Sequence, residues 1–201
     1  NPLSAYREGN REIKRRMVLA SKSPRRRELL ESFRIPFRVF VPEVTELEQG
    51  VDFRAVAVSN AELKADAAAE VFPDALVIGA DTVIELEHSI LGKPSGRENA
   101  EQMLLRMSGR SHNVVTGVCM ACRNRQIRIC FADVSKVFFK EIGLETIRHY
   151  MSLVNVMDKA GAYAVQEHGE LIIDRVEGSV NNVIGLPVER IAETLRLNGL
   201  L

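Results

Sequence analysis

Apolar positions along the chain alternate between short unbroken runs and longer stretches where they recur every three or four residues, a pattern that predicts strands interspersed with amphipathic helices. "MVLA" at 17–20 reads as a strand running through Ser21 to Ser23 into a helix. Ser23 can cap that helix's free N–H groups, Pro24 suits its first position, and Leu29, Leu30 and Phe33 form its apolar stripe. Phe37 to Val41 predicts a second strand, followed by the acidic loop "PEVTELEQG". From Phe53 to Val71, the residues Phe53, Val56, Leu63, Ala67 and Val71 keep helical spacing, and Pro73 closes the segment. "ALVIGADTVIEL" starts as a fully apolar strand, carries Asp81 and Thr82, and then resumes strand character. "SGREN" opens a helix in which Ser95 and Glu98 have the spacing of a capping box, with Ala100, Met103, Leu104 and Met107 as its buried stripe and Gly109 past its end.

Residues 113–122 and 126–139 predict paired strands, and 144–151 a helix. "DKAGAYAVQEHGE" reads as a loop and strand of functional character, "LIIDRV" as a strand, and Pro187 opens a final helix through Leu197. Alternating helices and strands with hairpins among them point to an α/β fold with a mixed sheet. A chain of 201 residues with 46% hydrophobic content supports one sizeable core, or two lobes sharing one sheet. The polar stretch 1–16 lacks apolar periodicity and reads as a flexible N-terminal extension, leaving 17–201 as a single catalytic unit.

Charge narrows the partners. Lys+Arg and Asp+Glu are both 27, and a net charge of zero with few aromatics argues against a nucleic-acid-binding module. No apolar run approaches the ~20 residues of a bilayer span and no hydrophobic signal core is present, so a soluble cytoplasmic protein without membrane contact is expected. Cys119, Cys122 and Cys130 form an odd set that reads as reduced thiols. The C-x-x-C pair Cys119/Cys122 sits in a strand-like run and lacks a second ligand pair, so core packing is favoured over zinc or redox chemistry. His88, His112, His149 and His168 lack metal-ligand spacing and read as structural or exposed.

Arg25, Arg26 and Arg27 crowd the first turn of the first helix, where the macrodipole disfavours cations by a few tenths of a kcal/mol up to ~1 each. A bound polyphosphate would reverse that sign, since helix starts and guanidiniums both hold phosphate. Successive helical residues diverge by ~100°, so at most two of the three face one ligand. Arg25 and Arg26 are assigned to it, and Arg27 is assigned to an i,i+4 pair with Glu31. Asp81 ends an apolar run and needs a metal, a cation or water; an Asx-turn is the competing reading. Lys64, Lys93 in "LGKP", and Glu43 and Glu46 of the acidic loop complete a set suited to phosphoryl chemistry with a hard cation, while no Walker loop is present.

"LASKSPRRRELL", "VIGADTV", "LGKP", "MLLRMSGRSHNVVTGV", "DKAGAYAVQ" and "NNVIGLP", in this order, resemble the Maf family of nucleoside triphosphate pyrophosphatases over about residues 17 to 197. The resemblance implies an α/β fold similar to inosine triphosphate pyrophosphatase, an elongated mixed sheet flanked by helices with a cleft between two lobes. It implies hydrolysis of a nucleoside triphosphate to the monophosphate and pyrophosphate with Mg²⁺ or Mn²⁺. Carried onto this chain, Ser21, Arg25 and Arg26 fall on the phosphate-binding turn, and Glu46, Lys64, Asp81 and Lys93 on the catalytic positions. Glu46 and Asp81 would hold or orient the metal; the resemblance makes Asp81 the proton acceptor, and whether it takes the water's proton directly or binds a metal whose own water is acidified stays open. "DKAGAY" followed by Gln166 is similar to the branch acting on dTTP and UTP, with Arg26, Thr82 and Gln166 on specificity positions and Lys159 on the substrate side.

A glutamine amide offers one donor and one acceptor side by side, which matches a uracil or thymine edge and, turned over, cytosine. Ala164 stands where glycine is usual in the family, and Glu167 and His168 replace a glycine after Gln166. A non-hydrolysing nucleotide-binding regulator is the competing function, and the oligomeric state stays open between monomer and homodimer.

Overall fold

The computed structural model describes residues 17–32, 34–50 and 52–200. The N-terminal extension and the place of Phe33 in the first helix's stripe lie outside the described residues. The elements run β1 (Met17–Ala20), α1 (Pro24–Glu31), β2 (Phe37–Phe40), α2 (Phe53–Val71), β3 (Leu76–Leu86), β4 (Ser89–Leu91), α3 (Arg97–Met107), β5 (Ser111–Cys122), β6 (Ile127–Phe139), α4 (Leu144–Leu153), β7 (Ile173–Glu177), α5 (Val180–Ile184) and α6 (Val188–Leu197). The strands form one mixed sheet in the order β2-β1-β3-β5-β6-β7, with β4 also on β3. β2, β1 and β3 are parallel, and β3, β5, β6 and β7 are successively antiparallel.

Alternation along β3 and β5 sorts the core by face. Leu76, Ile78, Val118 and Met120 join Leu30 of α1 and Ile191 and Leu195 of α6 in one cluster. Val77, Cys119 and Ala121, on the opposite face, pack with Ala61, Ala65 and Ala68 of α2. A further cluster holds Ile84, Leu86 and Leu91 with α3, α4 and Tyr163. Two lobes therefore share one sheet, as the expected fold requires.

The helix α2 lies where expected, but of the residues at helical spacing Val56 alone is buried. Leu63 and Val71 are exposed, and the buried stripe is Val56, Ala57, Ala61, Ala65 and Ala68 together with Asn60 and Lys64. The physical reason is the distance of approach. A Cβ at Gly79 would lie 2.3 Å from the Ala61 carbonyl oxygen, and one at Gly117 would lie 2.2 Å from the Ala57 carbonyl. Glycine in the strands and alanine on the helix let the two backbones nearly touch, leaving no room for leucine.

Other local expectations are corrected. The Ser95/Glu98 capping box does not form: α3 begins after Gly96 without a side-chain cap, and Asn99 Oδ1 accepts from the Ser95 N–H at 3.1 Å. "DKAGAYAVQEHGE" contains short 3₁₀ turns at Val156–Asp158, Ala160–Ala162 and Gly169–Leu171 in place of a strand. A short helix at Val180–Ile184, capped by Ser179, precedes the predicted last helix. Among the described residues no helix is long and apolar enough to cross a membrane.

Candidate active site

Strand β3 is paired along most of one edge by β5, but its other edge is shared by two partners. β1 leaves it at the Ala20–Gly79 pair and β4 joins it at Leu91–Ile84. Residues 80–83 between them face a gap. Asp81 and Thr82 sit there, so Asp81 lies inside a continuous strand opposite Gly117. This removes the Asx-turn reading and places Asp81 just past the point where the neighbouring strand β1 stops, five residues before β3's own end. Strand alternation sends the two side chains to opposite faces, and the gap lets both reach a single cleft of ≈ 1000 Å³.

On the α2 face, the Lys64 ammonium lies 2.8 Å from Asp81 Oδ1 and 3.0 Å from Glu46 Oε2. Two carboxylates from elements far apart in sequence thus converge on one cation. Asn60, one helical turn before Lys64, organises the same place. Its Nδ2 donates to Asp81 Oδ2 at 2.9 Å and to the Leu47 carbonyl at 2.9 Å, while its Oδ1 accepts from the Leu47 N–H at 2.7 Å. Asn60 was missed from sequence; its only signal was a polar residue on the helix face that carries Lys64.

On the opposite face, Ser23 caps α1 through the Arg26 N–H at 3.4 Å and Arg27 Nε donates to Glu31 Oε1 at 3.0 Å, as expected. Arg26 turns inward. Its Nε donates to the Gly185 carbonyl at 2.8 Å, Nη1 to the Ala80 carbonyl at 3.0 Å and Ser21 Oγ at 3.4 Å, and Nη2 to Thr82 Oγ1 at 2.9 Å. Burial lowers the Arg26 pKa from its ordinary value, opposed by the charges of Asp81 and Glu46. Thr82 and Thr116 hydroxyls meet at 2.9 Å, and Thr116 donates to the Asn182 carbonyl at 3.0 Å. Most of Arg26's donors are therefore engaged by the protein. Arg25 lines the cleft beside it.

The far wall comes from the second lobe. Lys93 is exposed on the cleft wall just after β4, and the Gly161 N–H donates to the Gly92 carbonyl at 3.0 Å, tying this strand end to the turn at 160–162. Gln166 is exposed to the cleft, next to buried Tyr163 and Ala164. Lys159 also lines it, yet its buried ammonium is held by the Asn155 carbonyl at 2.7 Å, Asp158 Oδ1 at 2.9 Å and Glu167 Oε2 at 3.3 Å. All three of its donors are thus occupied, and Lys159 fastens the loop that presents Gln166. Glu167, a departure from the family pattern, is one of the fastenings.

Beneath that loop His112 Nε2 and Tyr163 Oη lie 2.6 Å apart, a pair not foreseen from sequence. Burial lowers the His112 pKa to about 4 and raises that of Tyr163.

Every residue assigned to the site from sequence lines this one cleft: Ser21, Arg25, Arg26, Glu46, Lys64, Asp81, Thr82, Lys93, Lys159 and Gln166. Glu43 lines it as well. Glu46 and Asp81 offer hard oxygen donors of the kind Mg²⁺ or Mn²⁺ takes, and the point on which they converge is held by the Lys64 ammonium.

Comparison with known proteins bears on the family and the fold. The family model described as Maf-like protein matches residues 16–197. A protein of Akkermansia muciniphila named dTTP/UTP pyrophosphatase is 49% identical over 185 residues, covering 92% of this chain and 96% of that one. A protein of the same name from Desulforamulus reducens is 40% identical, covering 92% and 97%. In fold, the Staphylococcus aureus Ham1 protein is similar with a TM-score of 0.53 at 17% identity, over 91% of this chain and 99% of that one. With the family model spanning nearly the whole chain and relatives of such identity along its length, the protein belongs to the Maf family.

Proposed function

We propose that the protein hydrolyses pyrimidine nucleoside triphosphates, dTTP and UTP foremost, to the nucleoside monophosphate and pyrophosphate, using Mg²⁺ or Mn²⁺. The observation that carries the reading is the Glu46–Lys64–Asp81 constellation at the β3 gap, facing the arginine-bearing start of α1 across one cleft. The relatives named dTTP/UTP pyrophosphatase support the choice of bases.

The residues divide the work by position. Arg25 and the start of α1 take phosphate oxygens, with Lys93 opposite to neutralise the leaving pyrophosphate. Arg26 fixes the turn and the edge of β3, with its remaining donor capacity toward the substrate. Asp81, held by Asn60 and Lys64, accepts a proton from the water that adds to the α-phosphorus. The bond from that phosphorus to the bridging oxygen breaks, and its electron pair leaves with pyrophosphate. Glu46 and Asp81 would hold the divalent cation, whose chemistry is to neutralise charge on the triphosphate and acidify bound water. Lys64 keeps the two carboxylates together. Gln166 presents its amide to the base edge from the loop that Lys159 fastens.

The test is a panel of ribo- and deoxyribonucleoside triphosphates with each metal, assayed for pyrophosphate against orthophosphate. Equimolar pyrophosphate and monophosphate with UTP and dTTP is the expected result. Orthophosphate, or binding without turnover, would overturn it.

A further inference from the structure

The register of the β5–β6 hairpin brings together three ligating side chains outside the cleft. Cys119 and Cys130 are direct cross-strand partners, so their side chains stand on one face of the sheet. That face is covered by α2, and Glu62 of α2 comes over the pair. The two sulfurs and a Glu62 carboxylate oxygen all lie within 4.8 Å of one another. We propose that Cys119, Cys130 and Glu62 bind a zinc-class divalent cation, distinct from the hard cation of the cleft.

The donor chemistry supports that choice. Thiolates select softer metals, and two sulfurs with one carboxylate make a three-ligand zinc set whose fourth position is water. Bonds of about 2.3 Å to sulfur and about 2.0 Å to oxygen in a tetrahedron need S···S near ~3.8 Å and S···O near ~3.5 Å. The present ligand atoms, all within 4.8 Å of one another, stand an ångström or so from those separations at most. Cys119 is buried, while Glu62 and Cys130 are partly exposed, which supplies both an entry path and the water.

A cationic side chain lies beside the three ligands. Arg128, two residues before Cys130 and on its face of β6, lies 3.6 Å from Glu62 Oε1. Arg128 also holds Asp66 through both of its Nη atoms, so of the three negative charges carried by two thiolates and a carboxylate a divalent cation neutralises two, and Arg128 shares its charge between Glu62 and Asp66. The C-x-x-C motif plays no part, because residues three apart on a strand face opposite sides. Cys122 lies away from the site, with its sulfur on the Pro73 carbonyl.

The test uses the full chain, reduced with a phosphine, freed of metal by a chelator and titrated with Co²⁺. One equivalent should give an intense near-ultraviolet thiolate-to-cobalt band, bleached by Zn²⁺. Co²⁺ in the cleft has only oxygen ligands and gives no such band. Cys130→Ser should remove most of the band and weaken Zn²⁺ binding by roughly 100-fold, the upper end of what loss of a partner one bond further from a metal costs. Glu62→Gln should weaken binding by roughly 10-fold or more on the same scale, and Cys122→Ser should change nothing. No band in the wild-type protein, a band that survives Cys130→Ser, or one lost in Cys122→Ser overturns the assignment.

Discussion

Asn60→Ala tests how the acidic loop is held against the catalytic helix. Asn60 is 1% exposed and makes three hydrogen bonds, two with the Leu47 backbone and one with Asp81. Neutral bonds contribute about 1 kcal/mol each and one to a charged acceptor about 2, a gross loss of about 4 kcal/mol. Water can replace the partners of Leu47, whose loop is exposed, so a net destabilisation of about 2 kcal/mol is expected. For a domain of this size that lowers Tm by roughly 4–8 °C. The activity loss should be larger than the stability loss. Leu47 is itself 50% exposed, so apolar packing does little to hold the loop that positions Glu46. A kcat/KM reduction of about 100-fold, near 2.7 kcal/mol in the barrier, is expected from pyrophosphate-release kinetics. Asn60→Asp keeps the shape but loses both donors and sets a second carboxylate against Asp81, so it should fall below Asn60→Ala. If Asn60→Ala kept kcat/KM within about threefold of wild type while Tm fell as stated, the clamp would be structural only and the reasoning refuted.

The other expectations are more direct. Asp81→Asn should lower kcat by about 1000-fold or more with Tm little changed, measured as pyrophosphate release beside thermal melting. In the arginine turn, Arg25→Ala and Arg26→Ala should each cripple turnover, Arg26→Ala with a loss of stability as well, and Arg27→Ala should stay within about twofold because its exposed pair is worth at most ~0.5 kcal/mol. Gly117→Ala should cost about 1–3 kcal/mol by forcing α2 off the sheet, and reduce kcat/KM through displaced Lys64, seen by denaturation and kinetics together. His112 titrates near 6.5 when unfolded and about 4 when folded, so the unfolded state binds the proton more readily. Its contribution is complete above pH 6.5 and is lost as pH falls toward 4, by roughly 3 kcal/mol, and His112→Gln should flatten denaturation midpoints over that window.

Much that depended on local chemistry was legible in the sequence, the Ser95/Glu98 capping box excepted. Ser23–Pro24, the apolar run into Asp81 and the length of α2 each follow from capping, β propensity or periodicity, and each appears where expected. What it concealed depended on how close elements come. Leu63 and Val71 outrank alanine on any hydrophobicity scale, yet the alanines face the sheet because Gly79 and Gly117 admit only small side chains. Residues lining the cleft were legible as charged side chains in motifs, whereas their internal bonding was not. Nothing local states that Lys159 is fully engaged, that Asn60 links two segments, or that Cys119 meets Cys130 in preference to Cys122. Each of those is a matter of register or long-range contact, which a single sequence does not encode in its spacing.

The gap in β3 that admits substrate is also a length of bare strand edge. Such edges recruit other chains, and an unfilled catalytic cleft would present one permanently. Here the Ala80 carbonyl is occupied by Arg26 and approached by Lys64 at 3.4 Å, so a stray strand finds its acceptor taken and two cations in its path. The same residues that would greet a triphosphate thereby block one acceptor that edge-to-edge pairing would need. Variants with weakened phosphate binding at Arg26 should consequently be recovered in lower soluble yield, with aggregates that increase on concentration and diminish when nucleotide is added.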